Sequence, residues 1–210
     1  MPMGLSCLID PTAPVVIDAS TVINLNATAY GARILKAIPN PFVITDVVQG
    51  EILEDRRSGR HDGRLVAELV TSRLISIAKL DDLTESHFED LVVGQGNATL
   101  DDGEAATIAY GVEKGAITLI DERKATRLCR ERYPRLTIGS TLDMLVHSAV
   151  LAELGRDGAA DAVFNALHLA RMRVPPTALD WVVTLIGPER AAICECLPRA
   201  YRATDRIEGR

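Results

Sequence analysis

The chain has 210 residues, 47% of them hydrophobic and 25% charged, with a formal net charge of −6. That length can bury a sizeable core and suits one α/β domain with a modest extension, and no apolar run is long enough to span a bilayer. Met1 to Pro14 lacks the build of an export signal, and Cys7, Cys129, Cys194 and Cys196 are too few and irregular for a disulfide framework, so reduced thiols in a cytoplasm are expected.

In chain order, the apolar run Val15-Val16-Ile17 delivers a carboxylate, Asp18, where β-branched residues give way to Ala19-Ser20-Thr21. A buried parallel strand ends in this way. Ligand crevices of open α/β sheets lie just outside such ends, so Asp18 is placed either to meet a metal or phosphate or to cap the next helix. Residues 29–38 have helical spacing and are stopped by Pro39-Asn40-Pro41. A second strand, 42–45, leads into a helix over 46–57 with Asp46 as N-cap and Glu51 in its second turn. The turn-rich stretch 58–63 precedes a helix over 64–72 and a short edge strand at 74–77, and a helix over 84–93, capped by Thr84, runs into a loop at 94–97.

The next helix opens at Leu100 with Asp101, Asp102 and Glu104 in its first turn, where the macrodipole favours acids, and continues with alanines that let it press onto a sheet. Gly115 closes it, and 116–120 is a strand ending at Asp121. A helix over 122–132 is ended by Pro134, a last strand spans 136–138, and 141–154 reads as one long apolar helix. Alternating strands and helices predict an α/β fold, a parallel sheet covered on both faces. Beyond Gly155 the strand signal stops, and residues 156–206 are expected to form a helical extension on the domain of residues 1–155, with Trp181 in its packing. Ile207-Glu208-Gly209-Arg210 matches a protease-cleavage linker and is set aside.

Net negative charge argues at first against a polyanionic partner. Clustered carboxylates that hold divalent cations would by themselves make a small protein acidic, so the objection is weak. Two basic groups remain, Arg56-Arg57-x-x-Arg60 with Arg64, and Arg123-Lys124 with Arg127, Arg130 and Arg132. On charge alone they read as solvated helix faces. Right-handed crossovers would bring Asp18, Glu51, Glu104 and Asp121 to one edge of the sheet. Acids so packed repel one another unless a cation neutralises them, and Mg²⁺ or Mn²⁺, hard ions that take oxygen ligands and keep waters, suit such a set.

Three motifs occur in order: Val16-Ile17-Asp18-Ala19-Ser20-x-x-Ile23-Asn24-Leu25, then Leu100-Asp101-x-Gly103-Glu104-Ala105-x-x-Ile108-Ala109, then Leu119-Ile120-Asp121-Glu122. Together they resemble the PIN domain, and within it the branch related to VapC-type toxin ribonucleases, over residues 15–155. The resemblance implies a three-layer PIN-like fold and a metal-dependent ribonuclease, with Asp18, Glu51, Glu104 and Asp121 as the metal-site carboxylates and Ser20 supporting Asp18 by a hydrogen bond. Of the three acids in one turn, Glu104 has the spacing to Gly115 and Asp121 that suits the family's helix. Arg123, Lys124 or Arg127 would hold flanking phosphates, and the products would carry a 5′ phosphate and a 3′ hydroxyl. An antitoxin-like protein partner and a homodimer belong to the same implication. Asp143 is expected outside the site, as a helix N-terminal charge or in solvent.

Two rivals stand beside this reading. A non-catalytic interaction module would bind a partner without divalent ions, and a phosphohydrolase forming an aspartyl phosphate on Asp18 would want a second acid where Ser20 stands. A Ser-His-Asp hydrolase would want a Gly-x-Ser-x-Gly elbow that Ser20 lacks.

Overall fold

Five parallel strands, β1 (Val15–Ile17), β2 (Phe42–Thr45), β3 (Ser76–Ala78), β4 (Ile117–Leu119) and β5 (Ile138–Gly139), lie in the order β3-β2-β1-β4-β5. The computed structural model describes residues 6–54, 62–93 and 100–202. Arg56, Arg57, Arg60, His61, the end of the helix expected to reach residue 57, the loop at 94–97 and the last four residues lie outside the described residues.

β1 sits at the centre because Val15, Val16 and Ile17 are apolar on both faces, and each is 0% exposed. Side chains of a strand alternate between faces. Val15, Ile17, Phe42, Ile44, Ile117 and Leu119 join the larger apolar cluster. Val16, Val43 and Thr118 pair side by side across the sheet and face the other way, toward helix α6 (Asp102–Lys114). There Gly111 meets the Thr118 hydroxyl with no room for a Cβ, and Ala105, Ala106 and Ala109 are fully buried. The small residues in this helix serve that close approach.

The connection from β1 to β2 holds two helices, α1 (Ala19–Ala27) and α2 (Gly31–Ala37), where the spacing predicts only the second. α1 buries the polar Thr21 and Asn24 beside Val22 and Leu25, so its apolar stripe is diluted and its period hidden. Helix α3 (Asp46–Glu54) follows β2 directly: Asp46 is its first residue, and the Thr45 hydroxyl, at 3.2 Å from the Val48 amide, takes the capping bond. Helix α4 (Asp62–Thr71) leads to the edge strand β3, and Asp81, not Thr84, caps α5 (Asp82–Val92), accepting from the Thr84 amide and hydroxyl. Gly115 ends α6 in the left-handed conformation, φ 62°.

After β4 come α7 (Arg123–Arg132), α8 (Thr141–Leu145) and α9 (Ser148–Ala170). The stretch predicted as one helix over 141–154 is two, because His147 turns out of helical geometry and accepts from the Ala149 amide as the N-cap of α9. Gly155, at φ 67° and ψ 179°, breaks α9 again. Ala162, Val163, Ala166 and Leu167 of α9, with Leu179, Val182 and Ile186 of α10 (Leu179–Ile186), enter the same apolar cluster as β1, and α9 packs on α1 and α2. Leu91, Ile108, Ile120, Ala125 and Leu128 of the α5 to α7 region form a second, smaller cluster. All four cysteines are free thiols, and among the described residues no helix is long and apolar enough to cross a membrane.

Candidate active site

The carboxyl ends of β1 and β4 are neighbours, and the Asp18 amide donates to the Leu119 carbonyl at 3.2 Å. This pairing sets Asp18 and Asp121 side by side. Glu51 comes from the second turn of α3 and Glu104 from the first turn of α6, so four elements deliver the acids to one cleft of about 530 Å³. Ser20, Asn24, Asp101, Glu122 and Arg173 also line it.

Each acid is held by donors. Asp18 Oδ1 accepts from the Thr21 amide and Oδ2 from the Ser20 hydroxyl, both at 2.7 Å. The cap and the site acid are thus one residue, and the two roles offered for Asp18 do not compete. Asp121 accepts from the Thr141 amide at 3.0 Å, from Asn24 Nδ2 at 2.6 Å and from the Thr141 hydroxyl. The Gly103 amide donates to Glu51 Oε1 at 2.7 Å. Asp101 is engaged as the N-cap of α6, its carboxylate 2.9 Å from the Glu104 amide, which leaves the Glu104 side chain to the cleft. Asp143 is spent elsewhere, accepting from the amide and hydroxyl of Ser140 and from the Cys7 amide.

The electrostatics follow from this crowding. Burial, reinforced by the neighbouring Asp121, pushes the Asp18 carboxyl up to about 7, against the pull of its Thr21 and Ser20 hydrogen bonds. Burial, then the charges of Asp101, Glu122 and Asp18, pushes Glu104 up to about 7. Asp121 and Glu51 are raised as well, each chiefly by burial. Among the described residues, no lysine or arginine forms an ion pair with any of these four carboxylates. Four acids share the cleft, and the basic group beside them, Arg173, eases Asp121 without undoing the rise that burial causes; such an excess of negative charge favours a cation.

Among the described residues no three His, Cys, Asp or Glu side chains are gathered tightly enough to hold an ion unaided. Mg²⁺ does not require that. It keeps several waters and commonly takes one or two carboxylates plus substrate phosphate, and this rim offers only hard oxygen donors. Asp18 and Asp121 therefore fit such an ion, and Glu51 and Glu104 line the same cleft.

The residues expected to hold flanking phosphates sit differently. Arg123, Lys124 and Arg127 stand on α7, directly after Asp121, but do not line the cleft. Arg127 is largely exposed and lies 4.0 Å from Glu131, one turn on. Sequence reasoning gave no role to Asn24 or Thr141, which anchor Asp121, or to Arg173. A polar Asn24 inside an apolar helix was a usable signal. Nothing in the Met172-Arg173-Val174 stretch marks the arginine.

Gly103 makes a local prediction. A Cβ there would collide with the Glu51 carboxylate, the free end of a flexible side chain that can swing away. Gly103→Ala is therefore expected to change stability by less than about 1 kcal/mol while displacing Glu51 and slowing metal-dependent cleavage about tenfold; melting curves beside cleavage rates check both halves.

A family model, DUF3368, described as a PIN domain, matches residues 14–188. PIN domains are typically nucleases and generally use divalent metal ions. No curated protein and no solved structure matches the chain significantly. The match begins just ahead of β1, takes in all five strands and runs past α10. The chain belongs to the PIN-domain family.

Proposed function

We propose that the chain is a Mg²⁺- or Mn²⁺-dependent ribonuclease that hydrolyses RNA phosphodiester bonds at the cleft between β1, β4, α3 and α6. The observation that supports this reading most is the convergence of Asp18, Glu51, Glu104 and Asp121 from four elements on one cleft, raised in pKa and, among the described residues, in an ion pair with no basic side chain. A structural carboxylate is ordinarily paired or kept in solvent; Asp18 and Asp121 are buried, with the half-buried Glu51 and Glu104 beside them, an arrangement that suits a cation and its substrate.

Within this reading the chain's own groups divide the work. Asp18 and Asp121 would hold the ion, with Glu51 and Glu104 across the cleft; the bound ion would polarise the phosphodiester and acidify a water. Ser20 and Thr21 fix the Asp18 carboxylate and favour its ionised form, and Thr141 and Asn24 do the same for Asp121. Gly103 orients Glu51 through its amide. Arg123, Lys124 and Arg127, on the helix that leaves Asp121, would hold phosphates flanking the scissile one. Products with a 5′ phosphate and a 3′ hydroxyl follow. The VapC-type resemblance extends the proposal to a cytoplasmic toxin that forms a homodimer and is silenced by an antitoxin-like protein.

The test is incubation of the purified chain with single-stranded RNA, with Mg²⁺, with Mn²⁺ and with a chelator. Cleavage that needs the ion and leaves 5′ phosphates is expected. Cleavage undiminished by chelator would overturn the metal dependence, and no cleavage with either ion would overturn the reading and favour the interaction module.

A further inference from the structure

Two arginines of the segment after α9 line the cleft, Arg171, which pairs with Glu195, and Arg173. α9 ends at Ala170, and Arg171 adopts the left-handed conformation, φ 57°, which reverses the chain so that the Met172 amide bonds back to the Ala166 carbonyl at 3.0 Å. Met172 is 1% exposed and seated in the main apolar cluster. Arg173 follows this anchored residue and lines the cleft. Pro175 and Pro176 follow and restrict the backbone behind it.

Arg173 Nη1 donates to the main-chain carbonyl of Asp121 at 3.0 Å. The guanidinium is thus tied beside the acids through a neutral group; among the described residues it forms an ion pair with no carboxylate, although it feels the charges of Asp121 and Glu122. Its Nε–H is buried and has no hydrogen-bond partner among the described residues. Buried donors are nearly always satisfied, and one that is not, on a fixed guanidinium at the mouth of a site, calls for an acceptor. Arg123 and Arg130 of α7 lie near enough to lower the Arg173 pKa further, after burial. Planar guanidinium matches the paired oxygens of a phosphate better than an ammonium does.

We propose that Arg173 is a substrate-contacting residue that binds non-bridging oxygens of an RNA phosphate entering between it and the carboxylates. The assignment rests on the ribonuclease reading for its substrate, and its test separates the two. RNA binding is measured in the cleavage-dead Asp18→Asn chain, at two salt concentrations, with and without Arg173→Gln, and with Arg33→Gln as control, since Arg33 sits on α2 paired with Glu153. Arg173→Gln is expected to weaken binding about tenfold and to make the salt dependence shallower by about 0.7, one phosphate's worth. Arg33→Gln leaves both unchanged. Arg173→Lys restores the salt dependence, but in the otherwise unaltered chain it cleaves about 10-fold to 100-fold more slowly, because the two-pronged geometry is lost.

Equal affinity and equal salt dependence with and without Arg173 overturn the assignment, whatever cleavage does. Weakened binding in a protein that never cleaves RNA upholds Arg173 and defeats the ribonuclease reading. An Asp18→Asn chain that binds no RNA even at low salt overturns both.

Discussion

Asp18→Asn is expected to lose RNA cleavage by on the order of 100-fold to 1000-fold while melting at a higher temperature than the parent in metal-free buffer. The two effects have one cause. In the folded chain the Asp18 carboxyl is moved from 3.8 to about 7, so ionising it at neutral pH without a cation costs on the order of 2–4 kcal/mol. Asn keeps the acceptor for the Thr21 amide, and its amide can donate to a Ser20 hydroxyl that turns to accept. Relief of that cost corresponds to a rise of roughly 4 to 16 °C for a domain of this size. Asp121→Asn should lose cleavage equally but not gain this stability. Its carboxylate takes three donors, from the Thr141 amide, the Thr141 hydroxyl and Asn24 Nδ2. An amide nitrogen placed among them leaves a donor unpaired, at about 1–3 kcal/mol.

Metal-free stability should fall as pH rises from about 5 to about 8, opposite to the usual acid denaturation. The folded state holds the Asp18 and Glu104 protons more tightly than the unfolded chain does, since both carboxyls are pushed up to about 7. Between the ordinary carboxylate range and 7 the native state binds more protons. Stability therefore drops across that window, and the loss is complete above it. Asp18 dominates, because Glu104 is only half-buried and its share is reduced by solvent. Saturating Mg²⁺ should reverse the trend near neutral pH, since an ion that binds the native site alone adds stability by mass action. Melting curves across pH, with chelator and with Mg²⁺, measure this. A metal-free stability that climbs between pH 5 and 8 would contradict it.

Much of this was legible from residue order. β1, β2 and β4 are apolar runs of β-branched residues, each followed by an acid or by a helix that bears one, and such patterns survive without coordinates. A helix start at Asp18 was legible as a cap, but the extent of α1 was not, because its buried face bears Thr21 and Asn24, which serve Leu119 and Asp121 at the cost of apolar period. The break at His147 was hidden by apolar residues on both sides, where only a backbone turn separates α8 from α9. Glu104 could be preferred over Asp101 only by spacing, whereas the structure spends Asp101 on the cap of α6 and lets Glu104 feel Asp18. Arg173 lay beyond reach of pattern, because its place depends on a left-handed turn at Arg171 and on a contact 52 residues away in sequence.

The account turns on a divalent ion bound between Asp18 and Asp121, and Mn²⁺ binding to the metal-free chain near neutral pH tests it most directly, read by titration calorimetry with proton release. The parent should bind Mn²⁺ and release protons as Asp18 and Glu104 ionise, with Asp18→Asn and Asp121→Asn each weakening binding by at least about tenfold. Mn²⁺ affinity and proton release identical in the parent and both variants would contradict the account.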